Sequence, residues 1–367
     1  MSPPPEQALG NWSTTMNMGT MSGIITAGVV SVGQLALGSP INAGSVPKDA
    51  TWAAHVDIEA ILASDIGQFA LEHAKAEGEL DDLEVFRRET GLDPLEDFFG
   101  VTISGVGEDE SSVVALLEGG TALENVFDVI DKKLDGATHS TFRRNGLTIH
   151  KIKNDGETWL ATVLNLGDHR TGMVVSASVD RILEAVDGIQ RGTRSKVLRI
   201  ARPSAGSFAF LVASEIPGAV SSHGPASVLF RNADGFAIDV GQQRGRLFLH
   251  GMLDTADADT ANMALQSVQG LKALATMLGA NEPEAAPYIH LLDGLTFGLD
   301  GSALTASFEI ENEELFKLIA EENGLEDGFV WDEDEEETVN DDERIEQLER
   351  RIEELEQQLE REDRRPH

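Results

Sequence analysis

The chain has 367 residues, a formal net charge of -36 and no cysteine. Such a charge argues against binding nucleic-acid phosphates or anionic membrane, which calls for clustered Lys and Arg. The lack of cysteine excludes disulfides, thiol nucleophiles, Cys-ligated zinc and a lipid-bearing cysteine. The acidity itself reads as solubility, with calcium binding as the alternative.

Residues 1–43 resemble a secretory leader. Met21–Gly38 is apolar and small, a break follows at Ser39-Pro40, and Ile41-Asn42-Ala43 suits cleavage after Ala43. The basic start of such leaders is missing, since no Lys or Arg precedes Lys48. The expected location is periplasmic or secreted, with a cytoplasmic protein as the alternative.

A first half is expected over 49–202. Trp52–Ile58 alternates as a strand, Asp57–Ala76 has helical spacing, and Leu80–Thr90 is a second helix ended by Gly91. Val101 and Ile103 lie on a strand, a turn falls at Gly107–Glu110, and Ser112–Glu118 returns. Thr121 and Glu124 then read as a capping box for a helix with Leu123, Phe127, Ile130 and Leu134 on its apolar stripe. Leu147–Lys153, Thr158–Leu166 and Gly172–Ala177 are strands, and Ser178 caps a helix through Val186. The basic stretch Arg191–Arg202 reads as a connection that neutralises nearby acids rather than as an anion site.

A second half spans 203–324. Ser207–Ala213 is a strand like Trp52–Ile58, Asp234–Leu253 a strand pair, and Asp254–Leu278 the longest helix. Leu295–Ile319 reads as strand, Asp300-Gly301 turn, strand and helix. A type I′ turn there would pair Leu299 with Ser302, Phe297 with Leu304 and Leu295 with Ala306. Leu295, Phe297 and Leu299 would share an apolar face with Leu304, Ala306, Phe308 and Ile310, and Asn312 would cap the helix. The fold class is therefore α+β: two similar halves of mainly antiparallel sheet with helices packed on it.

Residues 325–341 form an acidic linker with too little apolar content to bury. Residues 342–365 carry a coiled-coil helix. Ile345, Leu348, Ile352, Leu355 and Leu359 step by alternating threes and fours, with Ile at a and Leu at d. These five are the expected oligomerisation residues of a homodimer or homotrimer. In a parallel assembly, Arg344 and Arg351 at g can meet Glu349 and Glu356 at e of a neighbour.

No catalytic, cofactor-binding or metal-binding residue is assigned. The histidines make no HExxH spacing, and His55, His150, His250 and His290 read as sheet residues. Asp254, Asp257 and Asp259 sit at a helix start, where capping and the dipole explain them better than a cation does. No GxSxG elbow or phosphate loop is present. Thr90–Phe98, TGLDPLEDF, leads into a strand at Gly100. With the strand–helix opening and the closing hairpin and helix, residues 50–320 resemble uncharacterised bacterial secreted or envelope proteins built of repeated strand–strand–helix units. That resemblance implies an α+β fold and brings no activity or site residues. The expectation is a non-enzymatic envelope protein for binding or scaffolding, without cofactor. The alternatives are a periplasmic carrier of an apolar ligand between sheet and helices, and a hydrolase with a motif-free carboxylate site.

Overall fold

A computed structural model describes residues 41–76, 78, 80–133, 137–154, 156–193, 195–215, 227–230, 233–279 and 291–322. The expected acidic linker, the heptads and all but the last three residues of the leader lie outside them.

The first half opens with β1 (Trp52–Asp57), whose residues alternate between half-buried and buried. Asp57 ends the strand and starts α1 (Ile58–Leu62), its Oδ1 accepting the Ala60 amide at 2.8 Å. The helical spacing read over 57–76 is broken at residues 63–64. α2 (Asp65–Ala76) and α3 (Asp81–Thr90) follow, and Gly91 closes α3 in the left-handed conformation that favours glycine. Next come β2 (Phe98–Val106), β3 (Asp109–Gly119) and α4 (Val126–Lys133). The expected capping box is not formed. Thr121–Asn125 is a 3-10 turn entered from Gly120 with no side-chain cap, because Leu123 is drawn fully into the core.

β4 (Thr138–Arg144) was not legible in the sequence. It is largely exposed and joins β5 (Leu147–Asn154) through Asn145-Gly146, both at positive φ as a type I′ turn requires. β6 (Glu157–Gly167), β7 (Arg170–Ser176) and α5 (Val179–Arg191) complete the half. Ser178 stands at the N-cap of α5, but its side chain makes no cap bond.

The second half runs β8 (Ser207–Ala213), α6 (Ser227–Phe230), β9 (Ala233–Gln243), β10 (Arg246–Thr255), α7 (Ala258–Gly279), β11 (Thr296–Asp300), β12 (Ala303–Glu311) and α8 (Asn312–Glu322). Among the described residues all strands join one 12-stranded sheet, ordered β11-β12-β10-β9-β8-β1-β2-β3-β7-β6-β5-β4. Every neighbouring pair is antiparallel. The opening strands of the halves, β1 and β8, pair with each other from Trp52↔Ala213 to Val56↔Ala209. From that seam each half runs outward in the same order: opening strand, hairpin with helix, then closing hairpin with helix. The β4–β5 hairpin is extra to the first half. The expected two similar halves therefore share one sheet.

The closing hairpin differs from the sequence reading by two residues. Asp300 pairs with Ala303, Leu299 with Leu304 and Phe297 with Ala306. The turn is Gly301-Ser302, with Gly301 at φ 61°, which is the glycine-first arrangement of a type II′ turn. A two-residue shift conserves the face of every side chain. Leu304 and Ile310 are accordingly buried, yet Leu299 at the tip is exposed.

Cores form on both faces. On one, α5 presses Ile182, Ala185 and Val186 onto Val114, Leu116, Ile149, Leu160 and Val174. The same face is closed further along by Val46, Ala50 and Val197 over Ala53, Phe210, Val212 and Ala237. On the opposite face, α4 places Phe127 against Ala161 and Met173, and α7 places Ala264 and Val268 against Leu253 and Leu304. A fully buried Leu or Ile of this kind contributes roughly 1.5–3 kcal/mol. Ile41 also packs on the second of these clusters. Asn42 folds there as a turn, its carbonyl accepting the Ser45 amide at 2.9 Å and the Ser45 hydroxyl at 2.8 Å.

Candidate functional site

Three polar clusters hold the chemistry-bearing side chains. The first lies where β1, β2, β3 and β7 run side by side. The register sets Asp57 beside Gly100, Gly100 beside Glu118 and Glu118 beside Gly172. Asp57 and Glu118 are buried, and both point to the face that α5 covers elsewhere. Glu59 on α1 meets the Arg170 guanidinium at 2.6 Å, and that guanidinium lies 5.1 Å above the Phe99 ring. Burial raises the Glu59 carboxyl above its ordinary value; Arg170 opposes this, while Asp57 and Glu118 add to it. This is the converging carboxylate group that a motif-free hydrolase would need. Its members are engaged, however. Asp57 caps α1, Glu59 is paired, and both Asp57 and Glu118 have further partners. The cluster fastens α1 to the sheet.

The second cluster sits under α4 on the opposite face. Asp131 Oδ1 and Oδ2 both lie 2.9 Å from His139 Nδ1, and His139 Nε2 lies 3.0 Å from His150 Nδ1. Phe127 stacks on His150 with centroids 3.6 Å apart. The carboxylate makes His139 Nδ1 a donor. A neutral His139 then presents Nε2 as acceptor, so His150 Nδ1 donates. Asp131, His139 and His150 thus form a chain in which each ring is held by its neighbour. Among the described residues, no three His, Asp or Glu side chains are arranged to hold a metal ion.

The third cluster gathers Ser204, Asp239 and His250. Asp239 stands directly opposite His250 across β9 and β10. The buried Asp239 carboxylate accepts the Ser204 amide at 2.8 Å on Oδ2, and its Oδ1 has no partner. Ser204 Oγ lies 3.3 Å from His250 Nδ1, and Phe248 stacks on the His250 ring. These are the residue types of a hydrolytic triad in the wrong order. The carboxylate holds the serine backbone, so no Asp–His–Ser relay exists to activate the hydroxyl.

Asn312, expected as a cap, is instead the centre of a fourth, structural contact. Its Nδ2 donates to Asp65 Oδ2 at 2.7 Å, and Asp65 also accepts from Gln242. Asp257 caps α7, accepting the Thr260 amide at 2.8 Å. In the basic stretch, Arg191 pairs with Asp187 at 2.8 Å and Val197 is buried. His55 bonds Thr102 Oγ1 at 2.9 Å within the sheet. His290 and the five heptad residues Ile345, Leu348, Ile352, Leu355 and Leu359 lie outside the described residues.

The apolar surface is more open than the polar clusters. Ile238 and Leu249 are 39% and 38% exposed in the middle of β9 and β10, on the face that α7 covers further along. Leu299 on β11 shares that face. On α7 itself Met263, Leu271, Leu274 and Met277 are exposed as well. In the first half Val85 and Phe142 are the exposed large apolar side chains among the described residues, and they belong to different elements. The sequence did not separate these residues from core, because each sits at a position with regular strand or helix spacing. Among the described residues no helix is long and apolar enough to cross a membrane; strands are not covered by that statement.

No known protein family matches the chain, and no curated protein matches it. Among solved structures, crystal forms of the Treponema protein TP0453 align with it. Form I is 10% identical with a TM-score of 0.38, covering 78% of this chain and 99% of that one. Form IV is 11% identical with a TM-score of 0.40, covering 77% and 97%.

Proposed function

We propose that the protein is a non-enzymatic binding or scaffolding protein of the bacterial envelope, and that it self-associates through residues 342–365. The observation that supports this most is the concentration of exposed Ile238, Leu249, Leu299, Met263, Leu271, Leu274 and Met277 in the second half. Exposed apolar side chains that stand together mark an interaction surface, and Ile238 and Leu249 are diagonal neighbours across β9 and β10. The first polar cluster supports the same reading, because Asp57 caps α1 and Glu59 is paired with Arg170. A periplasmic carrier of an apolar ligand is the second reading, favoured by Ile238 and Leu249 standing open on the sheet beside α7. Affinity purification of the native chain, with mass spectrometry of what accompanies it, tests both. A bound protein lost on Leu249→Lys supports scaffolding; a bound lipid or other apolar molecule lost on the same change supports the carrier. Recovery of neither refutes the surface as a binding surface.

The envelope assignment rests on the leader. Sequencing the mature N-terminus tests it, and an intact residue 1 would contradict it. Self-association through Ile345, Leu348, Ile352, Leu355 and Leu359 is tested by light scattering of the full chain against an Ile352→Glu/Leu355→Glu variant. A monomer in both refutes it.

A further inference from the structure

The hairpin of β4 and β5 reverses the charge of the chain. Thr138–Asn154 holds Arg143, Arg144, Lys151 and Lys153 and no Asp or Glu, in a chain of net charge -36. Elsewhere Arg87, Arg170, Arg181, Arg191 and Arg246 each meet a carboxylate. The four cations of the hairpin make no ion pair among the described residues.

β4 is the last strand of the sheet among the described residues, and every residue of it except His139 is exposed. The outer row of N–H and C=O groups on an end strand can pair with an added strand. Within the hairpin, Phe142 stands opposite Ile149, Arg144 opposite Leu147, Ser140 opposite Lys151 and Thr138 opposite Lys153. Residues directly opposite share a face, so Arg144, Phe142, Lys151 and Lys153 lie together. Ile149 is fully buried under α5 on that face, and Phe142 carries the apolar surface outward to the end of the sheet. Arg143 lies on the other face with His139 and His150. That face is tied down, because Asp131 holds His139 and Phe127 stacks on His150.

The charges select the occupant. Cations on an end strand ordinarily keep copies of a protein apart. Here the net charge already does so, and the strand at the other end of the sheet, β11, carries Asp300 and no cation. A second copy of β4 would add its own arginines to the row, which like charge opposes. A nucleic-acid strand or an anionic bilayer presents charge well beyond the hairpin, where it meets the acidic remainder of the chain. A short extended peptide lies along β4 alone. Charges beyond a Debye length of about 8 Å are screened, so the nearby cations set the potential it meets. Its alternate side chains face the two sides of the sheet. An apolar one covers Phe142, and acidic ones lie beside Arg144 and Lys151 on that side and beside Arg143 on the other.

We propose that β4 is a docking edge for an acidic, extended segment of another protein, which joins the sheet as a strand and sets its carboxylates against Arg143, Arg144 and Lys151. The inference depends neither on the apolar surface of the second half nor on residues 342–365.

The probe is a fluorescent peptide of alternating glutamate and valine, added to the full chain and followed by anisotropy. Saturable binding is expected. Arg144→Glu/Lys153→Glu, both exposed, should weaken it at least about tenfold while leaving the urea midpoint unchanged. Arg144→Gln/Lys153→Gln, which adds no acid, should weaken it in the same direction. Arg87→Glu/Arg88→Glu on α3 changes the net charge as much as the first pair and should leave binding nearly unchanged. Strand addition has its own readout, because the N–H groups of alternate residues point to opposite edges of a strand. Peptides N-methylated on every glutamate or on every valine should therefore differ, one keeping its affinity and the other losing it. No binding, equal weakening by the two glutamate pairs, or equal binding of the two methylated peptides overturns the proposal. Tighter binding of a single-stranded DNA of the same charge also overturns it, making the hairpin a general anion site.

Discussion

Gly188→Ala separates two forces that predict opposite signs. Gly188 lies inside α5, where replacing glycine by alanine ordinarily gains about 0.8–1 kcal/mol of helix propensity. Here the helix backbone touches another backbone. A Cβ on Gly188 would overlap the Gly44 carbonyl oxygen, and a Cβ on Gly44 would lie 2.6 Å from the Gly188 oxygen and 2.8 Å from the Ile189 Cα. Neither side can yield by turning a side chain. Forced overpacking of this kind costs roughly 1–3 kcal/mol. If the Ile41–Ala50 segment lifts instead, Val46 and Ala50, now 2% and 4% exposed, lose their cover, as does Ala53 beneath them. Partial uncovering of a Val and two Ala side chains comes to a similar sum, on the scale of about 0.8 kcal/mol per buried methylene. The net expectation is a loss of about 1 kcal/mol, read as a lower urea midpoint by circular dichroism, with faster proteolysis before Trp52. Gly270→Ala on α7 is the control, since nothing stands within 4 Å of its Cβ; it should gain about 1 kcal/mol. If Gly188→Ala also raises the midpoint, with cleavage before Trp52 unchanged, the close approach is not structural and the reasoning fails.

Burial and the neighbouring His139 hold the His150 imidazole below the ordinary 6.5, with Asp131 opposing. The folded chain then binds fewer protons than the unfolded one between that lowered value and 6.5, so this group's share of stability is lost as pH falls through the window. An NMR titration should place the His150 midpoint below 6.5, and His150→Phe should flatten that part of the stability profile; a midpoint at or above 6.5 contradicts the stacked, half-buried ring. Glu59 works with the opposite sign. Its raised carboxyl makes the fold bind more protons, so its contribution falls as pH rises from 4.5 through the folded value, and Glu59→Gln should remove that slope in urea midpoints taken across the range. Asp65→Ala strips the buried Asn312 amide of its acceptor and should cost about 1–3 kcal/mol in the urea midpoint, whereas a change within about 0.5 kcal/mol would mean water replaces the carboxylate. Gly301→Ala, at φ 61°, should cost about 1–2 kcal/mol if the turn begins at Gly301, and Asp300→Ala should cost little by the same thermal melt.

The strands and helices were readable where one side of an element meets the core. β1 and β9 are buried on alternate residues, but the more buried set is Ala53, His55 and Asp57 in the one and Gly235, Ala237, Asp239 and Gly241 in the other, so the alternation was legible and the side it buries was not. β4 escaped because it is an edge strand with little buried, so its residues were free to be polar. Its Asn145-Gly146 turn was the available signal. The caps were less legible. Thr121, Glu124, Ser178 and Asn312 each have the right chemistry at a plausible helix start. A 3-10 turn that buries Leu123 displaced the first, and an Asp65 carboxylate takes the Asn312 amide; nothing in the structure explains why the Ser178 hydroxyl makes no cap bond.

The amino-acid sequence by itself determined which residues face each way, because side-chain direction follows from local periodicity. Its missing cysteine excludes thiol chemistry, and its charge argues against binding nucleic-acid phosphates. Only the tertiary structure decided that β1 and β8 pair, making one sheet of two halves, because antiparallel partners are chosen by long-range register and not by neighbours in sequence. It also brought Asp131 to His139 and His150, and Ser204 to Asp239 and His250. The close contact of Gly44 with Gly188 is of the same kind. Both glycines read as loop or helix punctuation until the two backbones are seen to meet. α7 completes the case: its apolar residues follow helical spacing throughout, and burial alone tells Ala261, Ala264 and Val268 from the exposed Leu271 and Leu274.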